Sequence, residues 1–151
     1  MGGSMSRNKG KRGEREVINA ILQPVVNKVC AALSIEPPIL QRNTLQSDCG
    51  GCDLVGLEWF APEVKYQETS HLEQWWRQCV AQAKPHQTPV LFHRCNHAKW
   101  RVRMFGHLLV NTETFRRVRC PVDIDLGAFV SYFEERLAYE LKKENNQCPS
   151  R

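Results

Sequence analysis

The sequence contains no apolar run that approaches the length of a membrane span, and its start has no apolar stretch of the kind a secretory leader needs. Those two absences predict a cytoplasmic protein, of a bacterial or phage-infected cell, with no membrane partner. No internal repeat recurs, which excludes a solenoid or propeller, and no shift of composition marks a second domain. Serine, histidine and aspartate fall at no spacing that builds a hydrolytic triad, and no Cys-His nucleophile pair is visible. His71, His86, His93, His97 and His107 carry no signal beyond that of ordinary surface or core histidines. The seven cysteines are odd in number and scattered, so reduced thiols fit better than a disulfide framework. Cys49-Gly50-Gly51-Cys52 is the one tight pair. It reads as half of a zinc site or a redox pair, with Cys95-x-His97 a poor second half, or simply as loop geometry before Asp53.

What is present is enough for one domain with a real core: 151 residues, 42% hydrophobic and 25% charged. Twenty-one Lys and Arg against sixteen Asp and Glu leave +5, a moderate lean toward a polyanionic partner.

Residues 1–4 read as an expression remnant, and residues 5–13 as a basic, mobile arm carrying Arg7, Lys9, Lys11 and Arg12. Such an arm either solubilises the chain or contacts phosphates. From Glu14 a helical period begins, with Val17, Ile18, Ile21, Leu22, Val25, Val29 and Leu33 on one stripe, and Pro24 bends or interrupts it. Glu14 lies at the end of that docking stripe, where a carboxylate needs a partner, a water or a metal, unless it is only a helix-start acid favoured by the macrodipole. Glu16 is placed on the water-facing side. Pro37-Pro38 ends the helical region, and Ile39 to Thr44 read as a strand carrying Arg42.

The stretch Asp53 to Gln67 carries the densest chemistry. It reads as most of a β-hairpin, Leu54 to Leu57 and Phe60 to Gln67, turning at Glu58-Trp59. Alternation puts Glu63, Lys65 and Gln67 on one face of the second strand and Val64 and Tyr66 on the other. Two acids and an ammonium on one side of a small sheet suit metal-dependent phosphodiester hydrolysis, which needs carboxylates to hold a cation and a cationic or proton-transferring group beside the attacking water. The bland alternative is a solvated face with a same-side ion pair.

Downstream, His71 to Ala83 is helical, with Leu72, Trp76, Cys79, Val80 and Ala83 on one side and Trp75 beside them, a pair of indoles that suits a core or subunit contact better than a base-stacking platform. Pro89 to Cys95 reads as a buried strand and Lys99 to Phe105 as its neighbour. There Lys99, Arg101 and Arg103 alternate with Trp100, Val102 and Met104, so that with Arg94, Arg116, Arg117 and Arg119 they make a candidate phosphate-binding surface. Asp125 caps a final helix to about Lys143 with the stripe Leu126, Phe129, Val130, Phe133, Leu137 and Leu141, which closes the core or meets a second subunit. Residues 144–151 should fray. The elements together predict a single-domain α/β protein over residues 14–143, a mixed central sheet flanked by helices.

Lys9-Gly10-x-x-x-Glu14-Arg15-Glu16, then Arg42, Asp53-Leu54-Val55 and Glu63-Val64-Lys65, resembles the PD-(D/E)XK nuclease superfamily, nearest to the archaeal Holliday junction resolvases and similar phage-encoded resolvases. The similarity runs through residues 9–67, more loosely through the Trp-containing helix and the strand at Pro89, and stops near residue 105. The proline that often precedes the aspartate is replaced by Cys52. The resemblance implies a restriction-endonuclease-like fold and a structure-selective DNA endonuclease that resolves four-way junctions. It implies Glu14, Asp53, Glu63 and the Val64 carbonyl as ligands of Mg²⁺ or Mn²⁺, with no small-molecule cofactor, and Lys65 beside the nucleophilic water. Arg15 and Arg42 fall where the family carries arginines that serve the site or its DNA, and Gln67 lies beyond the lysine as a further DNA contact. A two-fold junction implies a homodimer. Alternatives are a nicking or repair nuclease of the same fold, or a basic DNA-binding module without catalysis.

Overall fold

The computed structural model describes the backbone over residues 3–45 and 51–147 and the side chains over 8–45 and 51–146. The chain opens with α1 (Gly3–Glu16), passes through a π-helical turn (Val17–Leu22) and continues as α2 (Gln23–Leu33). Residues 5–13, expected as an arm, are therefore helical. Proline lacks an amide hydrogen and its ring crowds the carbonyl four residues back. The preceding turn widens instead of breaking, and the Gln23 amide donates five residues back to Ile18 O. Pro24 thus alters the helix without ending it.

This helical path is, over Asn8–Leu33, long and apolar enough by length and composition to cross a bilayer, so the expectation that no stretch approaches span length does not hold by that measure. Its apolar groups are spent on the core: Val17, Leu22 and Val26 are fully buried.

Four strands form the main sheet in the order β3 (Phe60–Gln67), β4 (Thr88–Cys95), β5 (Arg101–Asn111) and β6 (Arg116–Asp125). β3 and β4 run parallel, and the remaining neighbours are antiparallel. The parallel pair needs a crossover, which α3 (Leu72–Gln82) supplies. β1 (Gln41–Arg42) and β2 (Leu54–Val55) make a separate antiparallel pair. The mixed sheet flanked by helices is as expected; two details differ. The Asp53 to Gln67 stretch is not a paired hairpin, because β2 pairs with β1 and touches β3 through the Asp53 amide, which donates to Pro62 O at 3.1 Å. β6 also was not anticipated, since its side chains are mostly exposed and give no buried alternation to read.

Layering follows from the two faces of the sheet. Val64, Val90, Phe92, Val102 and Met104 pack with α1, the π turn, α2 and α4 (Leu126–Gln147), whose Phe129, Phe133, Leu137 and Leu141 are buried. Asp125 caps α4, its Oδ1 accepting the Ala128 amide at 2.8 Å. The opposite face is covered by α3, where Trp75, Trp76 and Cys79 close over Leu91. Both indoles are core, one of the two places the burial habit of large aromatics suggested. By register, Glu63 and Lys65 lie on this α3-covered face with His93, Arg101, Arg103 and Asp123.

Candidate active site

Asp53 is stitched into place from three sides. Its amide donates to Pro62 O, its carbonyl accepts the Asn43 amide at 2.7 Å, and its Oδ2 accepts the Val64 amide at 2.7 Å. In an extended strand a residue's N–H and C=O leave by the same edge. The Val64 carbonyl therefore leaves the β3 edge on which Asp53 sits, the edge away from β4.

Glu63 is 1% exposed and stands beside Asp53, whose negative charge acts directly on it. Lys65 Nζ lies 2.7 Å from Glu63 Oε1 as an ion pair, while Glu63 Oε2 has no donor. A buried carboxylate so placed is costly. Burial first, and the Asp53 charge second, push its proton affinity up to about 7 against the opposing pull of Lys65. The site is thus short of positive charge.

Glu14 approaches from α1. It too feels the Asp53 charge, and burial is the main cause that raises its proton affinity. Its carboxylate is held by Arg42, whose Nε donates to Oε2. The structure therefore brings Glu14, Asp53, Glu63 and Lys65 to one region but hands Glu14 to an arginine. Among the described residues no group of three or more His, Cys, Asp or Glu side chains is disposed to hold a metal ion. The smaller set Asp53 and Glu63 does fit a hard cation, since Mg²⁺ commonly takes one or two carboxylates and fills its remaining positions with water or substrate oxygens, and Glu63 Oε2, which has no donor, is a suitable ligand atom.

Two further residues shape this region. Gly13 lies in α1 where a Cβ would come within 3.1 Å of Tyr66 Cβ and 3.4 Å of Trp100, so the bare Cα lets the helix settle closely on β3 and carry Glu14 inward. Its spacing of four residues from Val17 on the docking stripe is the sequence signal that marks it. Cys79 on α3 packs close enough for Glu63 and Asp53 to act on its thiol, whose proton affinity burial drives upward. No spacing in the sequence connects Cys79 to Glu63.

The basic surface is corrected in several places. Glu16, expected in water, accepts both Arg94 Nη atoms at 3.1 and 2.9 Å and Trp100 Nε1 at 3.1 Å. Arg94 is thereby tied down, and its guanidinium lies 4.2 Å from the Tyr66 ring centre. Arg103 is buried and forks onto Asp123 at 2.9 and 2.6 Å while reaching Glu73 at 2.5 Å, so it braces the sheet rather than facing a phosphate. Lys9 pairs with Glu68 at 2.7 Å. Lys11, Arg12, Arg15, Lys99 and Arg101 are exposed, and Gln67 is half-buried. The Arg7 side chain, and Cys49 and Gly50 of the Cys-x-x-Cys loop, lie outside the described residues. Cys52 is half-buried, with its Sγ donating to Leu54 O at 3.1 Å.

Compared with protein-family models, with curated proteins and with solved structures, the chain finds no match.

Proposed function

We propose that the chain is a metal-dependent endonuclease of PD-(D/E)XK type that cuts branched DNA. The observation that carries this reading is Glu63, buried beside a second carboxylate with one ammonium, Lys65 Nζ at 2.7 Å from Oε1, as the cation shared between them. Buried carboxylates of ordinary cores are each matched by a cation or by donors; two buried carboxylates sharing one ammonium suit a further cation. A bound Mg²⁺ or Mn²⁺ would supply activation of water and charge stabilisation at the scissile phosphate. Asp53 and Glu63 would hold it, with the Val64 carbonyl on the same strand edge. Lys65 would keep its ammonium proton toward the attacked phosphate or the incoming water. Arg42 fixes Glu14 beside Asp53, where the carboxylate adds negative potential and orients water. A two-fold branched substrate would call for a homodimer, in a cytoplasmic setting.

The test is a labelled four-way junction and a linear duplex of the same sequence, each incubated with and without Mg²⁺. Paired symmetric nicks in the junction alone, lost in EDTA, support the resolvase form. Equal nicking of both substrates supports a nicking or repair enzyme of the same type. The pairing of Glu14 with Arg42 favours a second reading, a basic DNA-binding module whose acids are structural; binding with no cleavage under any divalent ion would establish it.

A further inference from the structure

β5 bonds to β4 only from Arg101 to Met104, while its pairing with β6 continues to Asn111. Residues 105–120 therefore leave the sheet as a two-stranded arm. An arm of this kind gains little from its own packing and is expected to blunt its apolar surface unless something uses it. This one does the reverse. Of the nine large hydrophobics exposed among the described residues, five lie here: Leu108, Leu109, Val110, Phe115 and Val118. Arg116, Arg117 and Arg119 join them, against Glu113 as the arm's one acid.

Its end is built rather than loose. Asn111 Oδ1 accepts the amides of Glu113 at 2.9 Å and Thr114 at 2.8 Å, closing the turn. Phe115 follows with a left-handed φ of 54° and is 68% exposed. A bulky residue held in that conformation at a tip is strained and must be kept there by its surroundings. At the base, the Arg119 guanidinium sits 3.6 Å from the Phe105 ring centre. By register Arg117 and Arg119, opposite Leu109 and His107, lie on the sheet face that also carries Arg101, Lys65 and Glu63.

We infer that this hairpin is a nucleic-acid arm, resting on the DNA reading above: Arg116, Arg117 and Arg119 neutralise backbone phosphates while Phe115 stacks against unstacked bases at a branch. Charge complementarity selects the occupant, since three arginines against one acid suit a polyanion and would repel a second copy of the same arm. Apolar wedges flanked by cations are the usual means of engaging opened base steps, because every base offers an apolar face.

The experiment measures anisotropy of a labelled junction and a linear duplex in EDTA at several salt concentrations, so that it does not depend on cleavage. The proteins are the full chain, its Arg116→Gln/Arg117→Gln variant and Phe115→Ala, each checked for unchanged melting. The double variant is expected to bind both DNAs about tenfold more weakly and to lower the salt slope by roughly two. Phe115→Ala is expected to weaken junction binding several-fold and duplex binding little, and to remove the fluorescence rise of a 2-aminopurine placed at the branch point. Unchanged affinity and slope in both variants would overturn the proposal. So would a loss of dimer by sedimentation in Phe115→Ala with DNA binding intact, which would make the arm a subunit contact. A chain that binds through the arm yet never cuts would overturn the nuclease reading alone.

Discussion

Asp53 Oδ2 accepts the backbone amide of Val64 at 2.7 Å. One carboxylate, on the residue before β2, thereby ties that two-residue strand to β3 of the main sheet, and it does so beside Glu63 and Lys65. The same bond fills an edge position that β2 leaves unpaired, so structure and candidate chemistry share an atom.

Asp53→Asn tests whether the two can be separated. Its amide oxygen can still accept from Val64, so melting should change by no more than a few degrees. Cleavage of a junction in Mg²⁺ is expected to fall at least about a thousandfold, equivalent to about 4 kcal/mol of transition-state stabilisation, with DNA affinity retained. Cleavage at wild-type rates would exclude Asp53 from the chemistry.

Glu63 should make stability depend on pH when no divalent ion is present. Its proton affinity rises on folding from the ordinary 4.5 to about 7. Between those values the folded chain binds more protons than the unfolded chain, so stability is greatest below pH 4.5 from this group and is lost as pH climbs to about 7. Glu63→Gln removes that dependence. In EDTA at pH 8 the variant should melt roughly 5 °C above the parent, on the order of 2 kcal/mol, and at pH 4.5 the two should coincide. Added Mg²⁺ should raise the melting point of the parent and not that of the variant.

Two glycines in α1 should respond in opposite senses. A methyl at Gly10 would meet open space, so Gly10→Ala is expected to stabilise by about 0.5–1 kcal/mol through helix propensity. Gly13→Val would push Tyr66 and Trp100 and is expected to cost about 1–3 kcal/mol. Urea denaturation of both variants checks the pair, and cleavage by Gly13→Val should fall further than its stability alone explains, because α1 carries Glu14.

Arg101 and Arg103 are two residues apart, one exposed and one buried. Arg103→Gln removes a fork onto Asp123 and a bond to Glu73; it is expected to lower stability by about 1.5–3 kcal/mol and to leave the salt slope of DNA binding unchanged. Arg101→Gln should leave melting unchanged and reduce that slope by about one. Thermal melts and binding at several salt concentrations read both.

The alternation Trp100, Val102, Met104 was legible because burial repeats every second residue, and the stripe of α4 because it repeats along a helix. The positions of Glu63 and Lys65 on one strand face were legible for the same reason. The fate of the charges was not. Glu16 and Arg94 are 78 residues apart, and Arg103 and Asp123 are 20 apart; a charge on a strand or helix face reads the same whether it meets water, phosphate or an opposite charge folded against it.

Local periodicity in the sequence determined which buried segments are helices and strands, and which of their faces turn inward, since burial acts on each segment through its own repeat; the exposed β6 and the helical residues 5–13 carried no such repeat. Only the tertiary structure decided that β2 joins β1 instead of β3, that Arg42 takes Glu14, and that Glu63 is buried beside Asp53 with Lys65 as its cation. Those outcomes depend on distances between elements remote in the chain. Electrostatic and hydrogen-bond energies change sharply over an ångström, and such separations are set by how whole layers pack, not by any residue's neighbours in sequence.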